Sequence, residues 1–385
     1  DAMIASGGQM MAVGPRFSYA DFCLTTGIVD VDVTRMNRAR AGTFRVDILA
    51  ERTACASADF HFPVIQPETL ELTSAAWENG PYVKEEEFAR AVALGLFDYL
   101  RKSRSRGFVV SISGGVDSAT VTILSALLIR FGSGELGLPG FLEKLSYIPG
   151  LKDVTGPQEV VRRLLTCAYQ ATRNSSATTW EAARGVAEAV GAQCYRFDVD
   201  ELVQNYVGVV SQAVGRPLTW EQDDVALQNI QARVRAPSVW LLANLQGALL
   251  LSTSNRSEAA VGYATMDGDT CGGLSPIAGI DKAFLRRWLV WMERHGPEGI
   301  GPLPALAKVN QQPPTAELRP PAARQTDEED LMPYDVLDEI ERAAIRDKLT
   351  PLEVLQRIES RRGPYTRRQL ALWVERFFRL WCRNQ

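Results

Sequence analysis

The segment Ser113-Gly114-Gly115-Val116-Asp117-Ser118 stands between the apolar run 107–112 and an apolar stretch that begins at Ser118. Its residue types suit phosphate chemistry. Gly114 and Gly115 let the backbone approach a ligand closely, and Ser113 and Ser118 offer hydroxyls. The amides that open the following helix point outward, and a helix N-terminus attracts an anion through its unpaired N–H groups and its dipole. Asp117 among such groups would repel a phosphate unless a divalent cation lay between them. Mg²⁺ commonly takes one or two carboxylates together with phosphate oxygens, so Asp117 is a candidate metal ligand. The loop lacks the Gly-Lys-Ser/Thr end of a Walker A sequence, and it is not G-x-G-x-x-G. Taken without its surroundings, it also reads as a glycine-rich strand–helix turn with a Ser/Asp cap.

Other chemistries find little support. Only His61 and His295 are present, far apart, and the six cysteines (Cys23, Cys55, Cys167, Cys194, Cys271, Cys382) show no C-x-x-C spacing. That disfavours a zinc site or a Ser/His/Asp triad, and it suggests reduced thiols in a cytoplasmic protein. Cys271 reads as a small buried hydrophobe and His295 as a helix C-terminal residue. The 42 Lys+Arg against 46 Asp+Glu leave a net charge of -4, which argues against nucleic acid as a partner. Phosphate, if bound, is bound locally. The runs 248–251 and 121–128 fall far short of the roughly 20 apolar residues needed to cross a bilayer. The opening residues lack a basic segment followed by an apolar one, so neither a signal peptide nor a membrane partner is expected.

The elements that must position the loop follow a βα alternation. Residues 84–103 carry Phe88, Val92, Leu96 and Leu100 at helical spacing. Strands are expected at 107–112, 163–169, 193–198 and 248–253, and helices at 118–131, 178–190 and, as one long element, 223–246. Strands separated by helices imply an α/β fold with a doubly wound parallel sheet, Rossmann-like. Residues 132–158 and 296–330, rich in glycine and proline, are expected to be long loops. Residues 9–13, 24–33 and 43–48 read as strands with a short helix at 33–40, too little for a core of its own. Residues 51–81 hold Pro63, Pro67, Gly80 and Pro81 without a clear period, as a linker does. Apolar residues at 46% and charged residues at 23% are average for a globular chain, and 385 residues suggest two or three domains, or one large α/β domain with an appendage.

Ser-Gly-Gly-x-Asp-Ser after the first strand resembles the pyrophosphate loop of the ATP pyrophosphatases. A second motif narrows the resemblance. Leu251-Ser252-Thr253-Ser254-Asn255-Arg256-Ser257-Glu258, then Gly262-Tyr263, Gly268-Asp269 and Gly272-Gly273-Leu274-Ser275-Pro276-Ile277, is similar to the central signature of NAD synthetases. Ala226–Arg235, Pro314-Thr315-Ala316-Glu317-Leu318 and Gln325-Thr326-Asp327-Glu328 resemble further blocks of that family, in its order, between about Phe88 and Tyr365. Gly14-Pro15-Arg16-Phe17-Ser18 and Arg40-Ala41-Gly42-Thr43-Phe44 resemble the end of the α-β-β-α nitrilase-type glutaminase domain that precedes the synthetase in the glutamine-dependent branch. The expected organisation is a glutaminase remnant at 1–50, a linker at 51–82 and a synthetase domain of the adenine nucleotide alpha-hydrolase type at 83–385. Asp1 in place of Met agrees with a piece of a longer chain. The glutaminase nucleophile, base and lysine are not among these residues.

The resemblance implies adenylation of the nicotinate carboxylate of deamido-NAD by ATP, with release of pyrophosphate, and then displacement of AMP by ammonia. Ser113, Gly114, Gly115, Asp117 and Ser118 would hold the pyrophosphate, with Asp117 and Glu258 on Mg²⁺. Thr253, Lys282 and Thr315 match groups near ATP, and Thr253 ends a strand where open α/β sheets place ligands. Asn229, Arg233, Arg235, Glu258, Tyr263 and Asp269 match groups near deamido-NAD. Arg233 and Arg235, two apart on a helix, do not share a face, so one of them is expected in solvent or an ion pair. The residues Asp327–Asp330 read, by composition, as a solvated face, whereas the resemblance implies a place beside the ATP-covering loop. Those from Trp373 to Trp381 read as core or subunit contact, and the resemblance implies a homo-oligomer. Met266-Asp267 departs from the family pattern, and Gln385 falls where relatives continue into a basic tail. A GMP synthetase or tRNA-thiolating enzyme, or a non-catalytic adenine-nucleotide sensor, is the alternative. The pair Asp117 and Glu258 favours an enzyme, and no zinc-binding cysteines favour the tRNA enzymes.

Overall fold

The computed structural model describes residues 2–43, 58–61, 75–312, 317–320, 327–361 and 363–383. The chain divides into two compact units, Asp1–Val83 and Lys84–Gln385.

In the first unit, β1 (Met3–Ser6) and β2 (Gln9–Val13) form an antiparallel hairpin. Gly7 and Gly8 make its turn at φ +59° and +82°, where a side chain is strained. The strand expected at 24–33 does not form. Instead Asp30 caps α1 (Val31–Arg40), its carboxylate accepting from Val33 N at 3.0 Å, with Asp32 in the first turn and Arg38 and Arg40 in the last. Cap and dipole together favour the helix over the alternating valines. The Arg16 guanidinium sits 4.9 Å from the Phe17 ring centroid and 5.3 Å from that of Trp77. The strand expected at 43–48 and most of the expected linker lie outside the described residues.

In the second unit, α2 (Val83–Ser103) buries Phe88, Leu96 and Leu100 of the expected stripe, with Ala89, Ala93 and Phe97 beside them, while Val92 is half-buried. It leads to β3 (Phe108–Ser111) and α3 (Val116–Lys144). Next come α4 (Pro157–Leu164), β4 (Leu165–Ala171), α5 (Ala177–Val190), β5 (Gln193–Asp198) and α6 (Asp200–Val214). After α7 (Trp220–Arg233) and α8 (Ala236–Gln246) the chain returns to β6 (Leu249–Leu251). The strands are parallel in the order β5-β4-β3-β6. The chain thus winds outward from β3 in one direction and comes back on its other side. The crevice between the C-terminal ends of β3 and β6 is where such a sheet takes a ligand.

Several expectations fail for identifiable reasons. Residues 132–158 are not one long loop, because α3 continues to Lys144 through Gly137 (φ +68°) and Pro139. Phe141, wholly buried and stacked on Phe97 at 5.4 Å, holds this half of the helix down. Among the described residues α3 alone is long and apolar enough to span a membrane, contrary to the short runs seen in sequence, but 56% of its apolar window is buried inside the unit. Thr120, Thr122 and Ser125 interrupt the runs, yet each hydroxyl donates to the carbonyl four residues back, at 2.8–2.9 Å. The single helix expected at 223–246 is two helices. Pro237 lacks an N–H and occupies the first turn of α8, so the chain breaks at Val234–Arg235.

Beyond β6 lie α9 (Arg256–Val261), α10 (Lys282–Arg294), α11 (Ala307–Asn310) and α12 (Asp327–Asp330). They are followed by α13 (Tyr334–Glu341), a π-turn at Arg342–Arg346, α14 (Pro351–Ser360) and α15 (Arg367–Arg383). Leu337, Ile340, Val354, Leu370, Val374 and Phe377 form one apolar cluster, against which Trp373 and Trp381 pack. The aromatic stripe of α15 is core.

Candidate active site

The phosphate-type loop leaves the C-terminal end of β3 and opens α3. Gly114 has φ +85°, and a Cβ there would lie 2.3 Å from the carbonyl oxygen of Thr179 on α5. Only glycine lets the loop pack so close. Hydroxyls set the loop's shape: Ser113 N–H donates to Ser118 Oγ at 3.1 Å, and Gly115 N–H to Ser113 Oγ at 3.3 Å. Gly115 is the N-cap of α3 and has no side chain to cap the helix, so the amides of its first turn are left without a capping side chain among the described residues.

Across the crevice, Asn255 is the N-cap of α9 and accepts from Glu258 N at 3.0 Å. Its Nδ2 donates to Asp117 Oδ1 at 3.1 Å, which joins α9 to the loop. Asp281 caps α10 and starts it at Lys282. The Lys282 ammonium meets Asp117 Oδ2 at 2.5 Å and Glu258 Oε1 at 2.7 Å. Tyr334 on α13 places its hydroxyl 3.4 Å from Glu258 Oε1 and 3.3 Å from Asp327 Oδ2. Two carboxylates thus pair with one ammonium, and a third, Asp327, joins them through the Tyr334 hydroxyl.

The charges respond accordingly. Burial raises the Asp117 carboxyl to about 6 even though Lys282 opposes the shift. Burial likewise raises Asp327 to about 6, and its Oδ1 is buried with no hydrogen-bond partner among the described residues. Burial disfavours the Lys282 ammonium, but Asp117 and Glu258 outweigh it and hold the amine well above its usual range. The surplus of hard oxygen suits a divalent cation. Among the described residues no group of three or more His, Cys, Asp or Glu could hold a metal unaided. Such a site therefore fits an ion that takes one or two carboxylates and completes its shell with phosphate and water, as Mg²⁺ does.

Of the residues expected at the site, Ser113, Gly115, Asp117, Ser118, Arg235, Thr253, Glu258, Tyr263, Asp269 and Lys282 line one cleft. Gly114 lies behind it, against α5. Asn229 faces Thr265, whose hydroxyl it accepts at 3.1 Å, and is not in the lining. Exposed Arg233 donates through Nε to Met266 O at 3.0 Å, so it holds the divergent Met266-Asp267 turn rather than facing the cleft. Arg235, beyond the helix break, faces the cleft, and its guanidinium makes no hydrogen bond or ion pair among the described residues; burial lowers its proton affinity. Thr315 lies outside the described residues.

Glu317 and Asp327 also line the cleft, and Asn255, Glu328 and Asp330 support it from outside the lining. Asn255 was detectable, since Asn-x-x-Glu before an apolar stretch is an N-cap signal. Glu317, which accepts from Thr179 Oγ1 at 2.9 Å, arrives from 138 residues away in the chain. Asp327 is buried, Glu328 pairs with Arg286 at 3.0 Å, and Asp330 accepts from Tyr263 at 2.9 Å. The acidic run is therefore solvated at Glu329 and Asp330 as expected, but its first member, Asp327, turns inward. Burial pushes the Cys271 thiol up to about 11, which disfavours the thiolate.

The sequence profile described as NAD synthase matches residues 88–367. The chain belongs to the NAD synthase family. The glutamine-dependent NAD(+) synthetase of Homo sapiens is 30% identical over 420 residues, covering 100% of this chain and 57% of the human protein. That of Thermotoga maritima is 30% identical, covering 76% of this chain and 46% of its own. The solved glutamine-dependent NAD(+) synthetase from Cytophaga hutchinsonii is 46% identical with a TM-score of 0.67, over 78% of this chain and 49% of that one. An NMN synthetase from Francisella tularensis, 18% identical with a TM-score of 0.53, covers 78% of this chain and 94% of its own and shares the fold. The chain spans about half the length of the curated relatives it matches.

Proposed function

We propose that this chain carries out ATP-dependent amidation of deamido-NAD to NAD, as the synthetase part of a glutamine-dependent NAD synthetase. The observation that carries this reading is the meeting of the α3 N-terminus with Asp117, Glu258 and Lys282 in one cleft at the β3/β6 crevice. The nicotinate carboxylate attacks the α-phosphorus of ATP and pyrophosphate leaves. Ammonia then attacks the adenylated carbonyl and AMP leaves. No side chain has to form a covalent bond, so the protein's task is orientation and charge stabilisation.

The amides at the start of α3 and the hydroxyls of Ser113 and Ser118 hold the pyrophosphate. Lys282 supplies fixed positive charge beside it, and Thr253 and Thr315 contribute hydroxyls on the ATP side. Mg²⁺ held by Asp117 and Glu258 supplies neutralisation of the leaving pyrophosphate when bound. Arg235, Tyr263 and Asp269 orient deamido-NAD, and Asn229 and Arg233 support the adjoining turn. Residues 1–50 are the end of a nitrilase-type glutaminase domain, a reading supported by the human relative's alignment to 100% of this chain. Glutamine then supplies the ammonia in the full-length protein. The free thiols of Cys23, Cys167, Cys194, Cys271 and Cys382 support a cytoplasmic location.

A homo-oligomer is part of the same reading. Helix α6 buries only Val203 and exposes Leu202, Tyr206, Val209, Val210 and Val214 at helical spacing, a face suited to a second copy. The deciding assay supplies ATP, Mg²⁺, ammonium and deamido-NAD and follows AMP and NAD together. Equal amounts of both are expected. AMP formed only with xanthylate or tRNA would point to another ATP pyrophosphatase, and ATP binding without AMP would point to a sensor.

A further inference from the structure

Helix α10 begins in a clamp built by three side chains from three places in the chain. Phe284 N–H donates to its own N-cap, Asp281 Oδ1, at 2.7 Å. Ala283 N–H donates to Asp338 Oδ2 on α13 at 3.0 Å. Lys282 N–H donates to Ser257 Oγ on α9 at 2.9 Å, and the Ser257 hydroxyl in turn donates to Asp338 Oδ1. Ser257 is fully buried and Asp338 is 3% exposed. Neither lines the cleft.

We propose that Asp338 is a positioning residue that sets Lys282 and Glu258 in register through Ser257. The proposal rests on the function above for its kinetic consequence, but its geometry stands alone. Ser257 precedes Glu258, and Lys282 is the first residue of α10, so one carboxylate ties the starting points of both reacting-site side chains to α13. Their tips then meet at 2.7 Å. The inward neighbours of Asp338 on its helix, Leu337 and Ile340, are apolar members of the core cluster. A carboxylate buried among them is costly unless its hydrogen bonds are made, and here both oxygens are committed to the two functional helices. A displacement of about 1 Å at such a site costs on the order of 100-fold in rate.

The test uses the full chain and the variants Ser257→Ala, Asp338→Ala and Asp338→Asn, with Val354→Ala as a core control in α14. With Mg²⁺, ammonium and saturating deamido-NAD, Ser257→Ala and Asp338→Ala are expected to lower kcat about 10–100-fold while KM for ATP stays within about threefold. The double variant should be no worse than the weaker of its parents, because the two groups form one chain. Asp338→Asn keeps an acceptor for Ala283 and should recover part of the rate. Val354→Ala should lower the thermal midpoint and leave kcat intact. A second readout needs no turnover: labelling of Lys282 by acetic anhydride, followed by peptide mass spectrometry, should rise several-fold in Ser257→Ala and Asp338→Ala but not in Val354→Ala. Wild-type kcat in a folded Asp338→Ala, or unchanged Lys282 labelling in both, overturns the proposal. If Asp338→Ala fails to fold, Ser257→Ala decides alone. A wild-type protein that forms no AMP would count against the proposed function, and the labelling result would then decide the clamp.

Discussion

At the scale of single residues, the site is a balance between burial and charge. Asp117 accepts from both Asn255 and Lys282 and still has its carboxyl raised from 3.8 to about 6. Its ionised form is thus disfavoured by burial, as a group retained for the proposed metal-holding role would be. Asp117→Asn is expected to cut the rate of AMP formation by about 100-fold or more, while the thermal midpoint at pH 8 holds or rises because a neutral amide escapes the burial penalty. Steady-state AMP release and a thermal melt check this together. Full activity in the variant would remove the metal-holding role of Asp117. This part of the site was legible in sequence because Ser113 to Ser118 is one short segment whose geometry depends on neighbours in the chain. Asp327 was not, since nothing in an acidic run says that its first member will be buried beside Tyr334.

At the scale of elements, breaks and caps decide which side chains reach the cleft. The interruption between α7 and α8 sends Arg235 inward and leaves Arg233 on the Met266 turn. Helix α6 poses the opposite case, a regular helix whose apolar stripe faces outward. If that stripe meets a second copy, Val209→Glu, at a position 67% exposed, should leave the monomer fold and its melt nearly unchanged but shift the sedimentation coefficient to that of a smaller species. A wild-type chain that sediments as a monomer would sink the assignment of α6 to an interface. The outward stripe was not visible as such in sequence, because amphipathic spacing fixes which residues share a face and says nothing about what covers it.

For the whole molecule, three buried carboxyls give a pH dependence of definite sign. Asp117 and Asp327 are raised to about 6 and Asp338 to about 7, from an ordinary 3.8, with burial the leading cause in each. The folded state therefore holds protons that the unfolded chain has already released between about pH 4 and 7. The stability they contribute is full below that window and is lost as pH rises through 6 to 7. Asp223 and Asp347, lowered to about 2 by arginine partners, titrate below this window and do not oppose the trend. The ligand-free thermal midpoint should rise on going from pH 8 to pH 5.5, and Mg²⁺ with ATP should flatten the slope. A midpoint that falls steadily over this range in differential scanning fluorimetry would contradict the charge balance described here.

What the sequence determined by itself was local and periodic. The glycine-rich turn, the βα alternation around it, the order of the family blocks and most of the helical period of α2 follow from residues near one another in the chain. The tertiary structure alone decided the rest, for a common reason: packing energy outweighs local propensity once distant segments meet. Phe141 against Phe97 keeps a glycine-rich stretch helical, and Thr179 makes Gly114 obligatory. Three side chains drawn from α9, α13 and the residue before α10 fix where Lys282 begins. The loop proposed to bind phosphate is written in six consecutive residues, whereas the charge cluster beside it forms only where α3, α9, α10 and α12 converge.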